Sequence, residues 1–165
     1  RKRAGIAGRA RPSASGDSAV GEPGGLINRD AEGANEMSDT NSRIVTQMCD
    51  SLLSGDLRDC VAYLSEEVVY HNMPWAPVTG HTGVRKVLEP FIEGADCALK
   101  KMDIVHTAAN GEVVMNARTE LWQRAGVSVE LPVAGVFIVR GGLIVRWEDY
   151  WDAATMQPLI DVVMG

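Results

Sequence analysis

The chain is poor in the residues that metal centres, disulfide frameworks and histidine triads require. It has three histidines and three cysteines in 165 residues. His71, His81 and His106 fall in separate segments, so neither a metal site nor a histidine-based triad is expected, and no cofactor is called for. Cys49, Cys60 and Cys97 are odd in number, widely spaced, form no CxxC, and sit in apolar-periodic segments. They read as buried, reduced thiols, which makes the cytoplasm the expected compartment. No apolar run approaches the length of a bilayer crossing and no basic amphipathic helix stands out, so a membrane partner is not expected. Lys and Arg number 16 against 22 Asp and Glu, and the net charge of −6 leaves no basic stripe to neutralise phosphates. Nucleic acid is therefore excluded as a partner. Gly141 and Gly142 precede no helix start, which makes them a turn and not a phosphate loop.

What is present has ordinary globular proportions, with 45% hydrophobic and 23% charged residues, enough for one domain with a sizeable core. The first 36 residues differ in kind: they hold seven of the 17 glycines and few large apolar side chains. Residues 1–36 are expected to be a disordered extension. They carry six basic and five acidic side chains, which leaves residues 37–165 at −7. No apolar core follows RKRAGIAGRA, so the stretch fits no secretory signal. Met37 is the expected native start, and residues 37–165 the expected single domain.

From Met37 the spacing is helical. Ile44, Val45, Met48, Cys49, Leu52 and Leu53 form one stripe, ended at Ser54-Gly55. Leu57, Cys60, Val61 and Leu64 form a second, capped by Asp56. After a short strand over 67–72 and the loop PWAPVTGHTG, Val84, Val87, Leu88, Phe91 and Ile92 form a third, kinked or ended by Pro90. Beyond Ala95 four β-like runs, near 98–109, 112–123, 128–139 and 143–151, are joined by short Gly-containing links. Such links favour antiparallel hairpins. The expectation is an α+β fold: a curved sheet, antiparallel or mixed, forming a cone with an internal pocket and covered by three N-terminal helices. Gly135 and Pro132 within one strand supply the argument for curvature.

Three polar clusters fall on these strands: Tyr70 and Asn72, Arg118 and Glu120, and Asp149 between Trp147 and Trp151. Each i, i+2 pair projects from one face. Asn116, Arg118, Glu120 and Trp122 share a face, as do Val145, Trp147, Asp149 and Trp151, opposite Ile144, Arg146, Glu148 and Tyr150. Any one cluster alone fits a solvated strand face. Together in an apolar setting they would be costly to desolvate unless they satisfied one another, which points to chemistry. His71 points away from the Tyr70–Asn72 face, His81 reads as a surface or capping residue, and His106 as a partly buried strand residue.

The words YHNMPWAP, NARTEL and LPVAGVFIVRGGLIVRWEDYWD resemble, in order and approximate spacing, the limonene-1,2-epoxide hydrolases, within the wider nuclear-transport-factor-like and polyketide-cyclase-like cone folds. The resemblance covers about Ser42 to Asp161. It implies that Tyr70, Asn72 and Asp149 hold a water, that Asp149 removes its proton, that Glu120 protonates the epoxide oxygen, and that Arg118 lies between the two carboxylates. It implies a hydrophobic cyclic epoxide and water as reactants, a vicinal diol as product, no metal, and a homodimer packed through the outer sheet face. Cys49, Leu52, Phe91, Trp122, Leu131, Val133 and Trp151 correspond to substrate-contacting positions. One departure stands out, because the family usually has Asp where this chain has Glu120. Two other readings stay open: a ketosteroid-isomerase-like or dehydratase-like enzyme of the same fold, which would yield an isomer or alkene, and a non-catalytic module that binds a small ligand without turning it over.

Overall fold

The computed structural model of the protein describes residues 25–94 and 96–165, with side chains from residue 32 onward. Among these residues the order is α1 (Gly25–Ser51), a 3-10 turn (Leu52–Ser54), α2 (Leu57–Val61), β1 (Leu64–Asn72), β2 (Val78–Thr79), α3 (Gly80–Ile92), β3 (Leu99–Asn110), β4 (Val113–Arg124), β5 (Val127–Arg140), β6 (Leu143–Tyr150) and α4 (Ala153–Met164). The fold is α+β. One six-stranded sheet has the order β2-β1-β6-β5-β4-β3. It is mixed, because β1 runs parallel to β6 while every other neighbouring pair is antiparallel.

The meander β3 to β6 forms where the period-2 pattern places it, and its tight links have a backbone cause. Ala125 and Gly126 have φ of 48° and 83°, and Gly141 and Gly142 have 57° and 81°. Two successive positive φ values give the mirror-image turn whose twist matches that of paired strands. At the same end of the sheet as the Gly141-Gly142 link, α1 is pinned to the β3–β4 turn: Gly111 N donates to Ser38 Oγ at 3.0 Å, and Asn41 Nδ2 donates to Gly111 O at 2.9 Å.

Helices cover the face that the alternation marks as apolar. Val45, Met48 and Cys49 of α1, Val84, Leu88, Phe91 and Ile92 of α3, and Met156 and Leu159 of α4 are buried against Val114, Leu131, Val133, Phe137 and Trp147 of the sheet. Each such side chain contributes about 1.5–3 kcal/mol on burial, which is what holds short helices to the sheet. Pro90 lies in the last turn of α3, which ends two residues later at Ile92.

Several elements differ from the sequence expectation. Helix α1 begins at Gly25 and not near Met37, so Gly25–Glu36 are helical; residues 1–24 of the expected disordered stretch lie outside the described residues. Glu32 to Met37 are exposed, so this part of the helix buries little against the sheet. Strand β2 and helix α4 add to the expected set. Helix α4 starts where Asp152 accepts from Thr155 N at 2.9 Å, and burial of Met156 and Leu159 offsets the hydrogen bond that Pro158 removes. Ile144 was expected on the outer face but is fully buried, because the β5–β6 register shifts between Ile138 and Val139 and reverses the alternation there. His106 is exposed, next to another register shift after Ile104.

Candidate active site

Strand register gathers the polar residues into one row across the sheet. Asn72 of β1 pairs with Asp149 of β6, Asp149 with Gly135 of β5, and Gly135 with Asn116 of β4. Tyr70 pairs with Trp147 in the adjacent row. Two residues along β4, Arg118 and then Glu120 emerge on the same buried face. Asn116, Arg118, Glu120 and Asp149 are all at most 5% exposed, four polar side chains in an otherwise apolar layer.

The guanidinium of Arg118 satisfies three of them at once. Its Nε donates to Glu120 Oε1 at 2.7 Å, its Nη1 to Asn116 Oδ1 at 3.0 Å, and its Nη2 lies 2.8 Å from Asp149 Oδ2. Glu120 Oε2 accepts from the indole Nε1 of Trp122 at 2.9 Å. On the β1 side, Asn72 Nδ2 donates to the Tyr70 hydroxyl at 2.7 Å, and Asn72 Oδ1 accepts from Trp151 Nε1 at 2.9 Å. An indole N–H can only donate, so the amide orientation of Asn72 is determined. Tyr70 therefore accepts from the amide and keeps its own proton to donate. Asp149 Oδ1 is buried and has no hydrogen-bond partner among the described residues.

Burial dominates the electrostatics. It pushes the Glu120 carboxyl above the usual carboxylate range; Arg118 opposes that, and Asp149 reinforces it. Burial also raises the Tyr70 phenol, helped by Asp149 and Glu120, so it stays protonated. For Arg118 burial disfavours the charge, yet Asp149 and Glu120 outweigh it and hold the guanidinium ionised.

These groups line a cavity of about 50 Å³ together with Leu52, Trp75, Phe91, Trp122, Leu131, Val133, Trp147, Trp151 and Met156. Of the residues singled out from sequence, Tyr70, Asn72, Arg118, Glu120, Asp149, Leu52, Phe91, Trp122, Leu131, Val133 and Trp151 all reach it. Cys49 does not line it. That thiol is fully buried in α1, accepts from Asn116 Nδ2 at 3.7 Å, and burial pushes it up to about 12. Asn116, Trp147 and Gly135 were not assigned to the site, although their strand parity placed all three on this face. Met156 could not be found without α4. Trp75, edge-on to Trp151 with ring centres 5.1 Å apart, sits in the loop after β1 where no periodicity applies.

Residues 39–160 match the limonene-1,2-epoxide hydrolase catalytic domain. The chain belongs to that family. Membership in the limonene-1,2-epoxide hydrolase family implies an epoxide-hydrolase-like activity. Solved structures share its fold at low identity. An LEH-like epoxide hydrolase from M. tuberculosis is 24% identical, with a TM-score of 0.62 over 78% of this chain and 98% of that one. TerC, co-crystallised with polyporic acid, is 17% identical with a TM-score of 0.60 over 74% and 98%. A de novo designed protein with a curved β-sheet is 18% identical with a TM-score of 0.58 over 76% and 95%. The scaffold is thus shared by proteins of different origin, and the chemistry has to be argued from the side chains.

Proposed function

We propose that the protein adds water to a hydrophobic cyclic epoxide in one step by general acid/base catalysis. The observation that carries this reading is the division of labour at Asp149: Oδ2 faces the Arg118 guanidinium, while Oδ1 is buried, without a donor among the described residues, beside the cavity that Glu120 also lines. A water held by Asp149, Asn72 and the Tyr70 hydroxyl attacks one epoxide carbon. Its proton passes to Asp149, the carbon–oxygen bond of the ring breaks, and Glu120 supplies a proton to the departing oxygen. The product is a vicinal diol. Push and pull in the same step avoid a free hydroxide and a free alkoxide. Asp149 ends protonated and Glu120 ionised, and Arg118, which touches both, bridges the return of the proton.

Apolar lining by Leu52, Phe91, Leu131, Val133 and the tryptophans favours an uncharged substrate such as a terpene-like epoxide. In this reading the curved sheet closes the cavity into an internal cone-shaped pocket. The outer face carries exposed Val105, Val113, Met115 and Tyr150, which suits a homodimer packed through the sheet; a monomeric elution volume at micromolar concentration would count against it. Three free, buried cysteines suit a cytoplasmic protein.

The test is incubation with cyclic epoxides in oxygen-labelled water beside Asp149→Asn. Labelled diol that falls about 10²–10⁴-fold in the variant is expected. An isomer or alkene in its place, or binding without product, would overturn the reading.

A further inference from the structure

The indole of Trp122 does more than line the cavity. Trp122 and Glu120 lie two residues apart on β4 and project from the same face, with Nε1 2.9 Å from Oε2. The ring is 8% exposed and fixed in place: it stands edge-on to Phe91 at 83°, with centroids 6.2 Å apart, and its backbone pairs with Leu99 on one side and Val129 on the other. Glu120 Oε1 meanwhile accepts from Arg118 Nε at 2.7 Å. Each carboxyl oxygen therefore has its own donor, and the plane of the group is held at both ends.

The two donors are unequal. A guanidinium N–H makes the stronger, charge-assisted bond and draws negative density to Oε1. In the neutral acid the proton accordingly sits on Oε2, the oxygen that faces the indole. We propose that Trp122 is a positioning residue: while Arg118 leaves the proton to Oε2, the indole N–H fixes the plane of the Glu120 carboxyl and so holds Oε2 in one direction at the cavity. The inference rests on Glu120 being the acid of the reaction proposed above. It accounts for how a glutamate, one methylene longer and more mobile than aspartate, is held to a single geometry.

A donor to the carboxylate also favours the ionised form, so Trp122 restrains the rise that burial imposes on Glu120. The other titratable groups around Glu120 are Arg118 on its own strand, Asp149 of β6, Tyr70 of β1 and Cys49 of α1; its cross-strand neighbours Met102 and Leu131 are apolar. Trp122→Phe keeps the ring and deletes the N–H.

The deciding measurement is a carbon-detected NMR titration of the Glu120 side-chain carboxyl in the wild-type protein and in Trp122→Phe, without substrate. The variant is expected to titrate about one pH unit higher, the size of one hydrogen bond to a charged group. Coincident titrations overturn the proposal. In the wild type the Trp122 indole proton should shift with the same midpoint as Glu120; a resonance that stays fixed overturns it even if the variant fails to fold. With an epoxide, the alkaline limb of kcat in Trp122→Phe should move up by the same amount while kcat falls. Absence of labelled diol from the wild type would overturn the hydrolase reading alone, and coincident titrations the role of Trp122 alone.

Discussion

Gly135 and Arg118 are separated by the space of one missing side chain. A Cβ at position 135 would stand 2.6 Å from Arg118 Nη1, 2.8 Å from Asn116 Oδ1 and 2.7 Å from Phe137 Cε2. The glycine is not there for its backbone, which is ordinary strand; it is there because Arg118 crosses over it from β4 to reach Asp149 on β6. The row from Asn72 to Asn116 contains one position without a side chain, and the guanidinium occupies it.

Gly135→Ala should therefore strike function and stability together. Overpacking in a closed interior costs about 1–3 kcal/mol, and here the neighbours are a guanidinium and an amide that cannot retreat without losing partners. Denaturant melts should show the loss, and diol formation should fall because the bridge between Asp149 and Glu120 is pushed aside. A variant that melts and turns over like the wild type would show that the close approach is not a constraint.

Arg118→Lys tests the bridge itself. A lysine keeps the charge but has no planar fork, so it cannot serve Glu120, Asn116 and Asp149 in the geometry seen here. Leaving a buried charge unpaired typically costs about 3–5 kcal/mol. We expect a lowered melting temperature and turnover reduced by more than about tenfold; thermal denaturation and product assay read both. Wild-type behaviour in both would remove the bridging role.

The meander and the polar face of β4 were legible in sequence because strand parity is a strict period-2 code. Asn116, Arg118, Glu120 and Trp122 are all buried, while Met115 and Ala117, on either side of Asn116, are exposed. Parity failed at Ile144, where a register shift adds a residue that composition does not announce. The pairing of β1 with β6, which sets Asn72 beside Asp149, joins segments 77 residues apart in sequence and leaves no local trace. The donors that orient the site were hidden for a different reason. By resemblance Trp122 and Trp151 correspond to substrate-contacting positions, and only their atoms show that each indole N–H is spent on a polar side chain of the site.

Glu120 should make both activity and stability depend on pH in a defined direction. An unfolded glutamate titrates near about 4.3, and burial raises the folded value above this. Between the two values the folded state binds more protons than the unfolded one, so stability is fully present below the unfolded value and is lost as pH rises through the folded value. Glu120→Gln removes that dependence. The melting temperature of the wild type relative to Glu120→Gln should fall as pH is raised across this window, and wild-type turnover should decline on the same alkaline limb. Parallel melting curves at all pH values would mean that Glu120 ionises as freely in the fold as out of it.

Trp151→Phe addresses the side of the site proposed to hold the water. The indole N–H of Trp151 fixes which end of the Asn72 amide is oxygen, and through it leaves the Tyr70 proton free to donate. Phenylalanine retains a ring against Trp75 but leaves Asn72 Oδ1 without that donor, at a cost near about 1 kcal/mol. The amide is then free to flip and compete for the Tyr70 proton. Stability should change little, while kcat falls by about tenfold with KM nearly unchanged, since misplacing the attacking water affects the transition state more than substrate binding. Steady-state kinetics on any epoxide the wild type hydrolyses would read the split. A change confined to KM would return Trp151 to the role of a simple pocket wall.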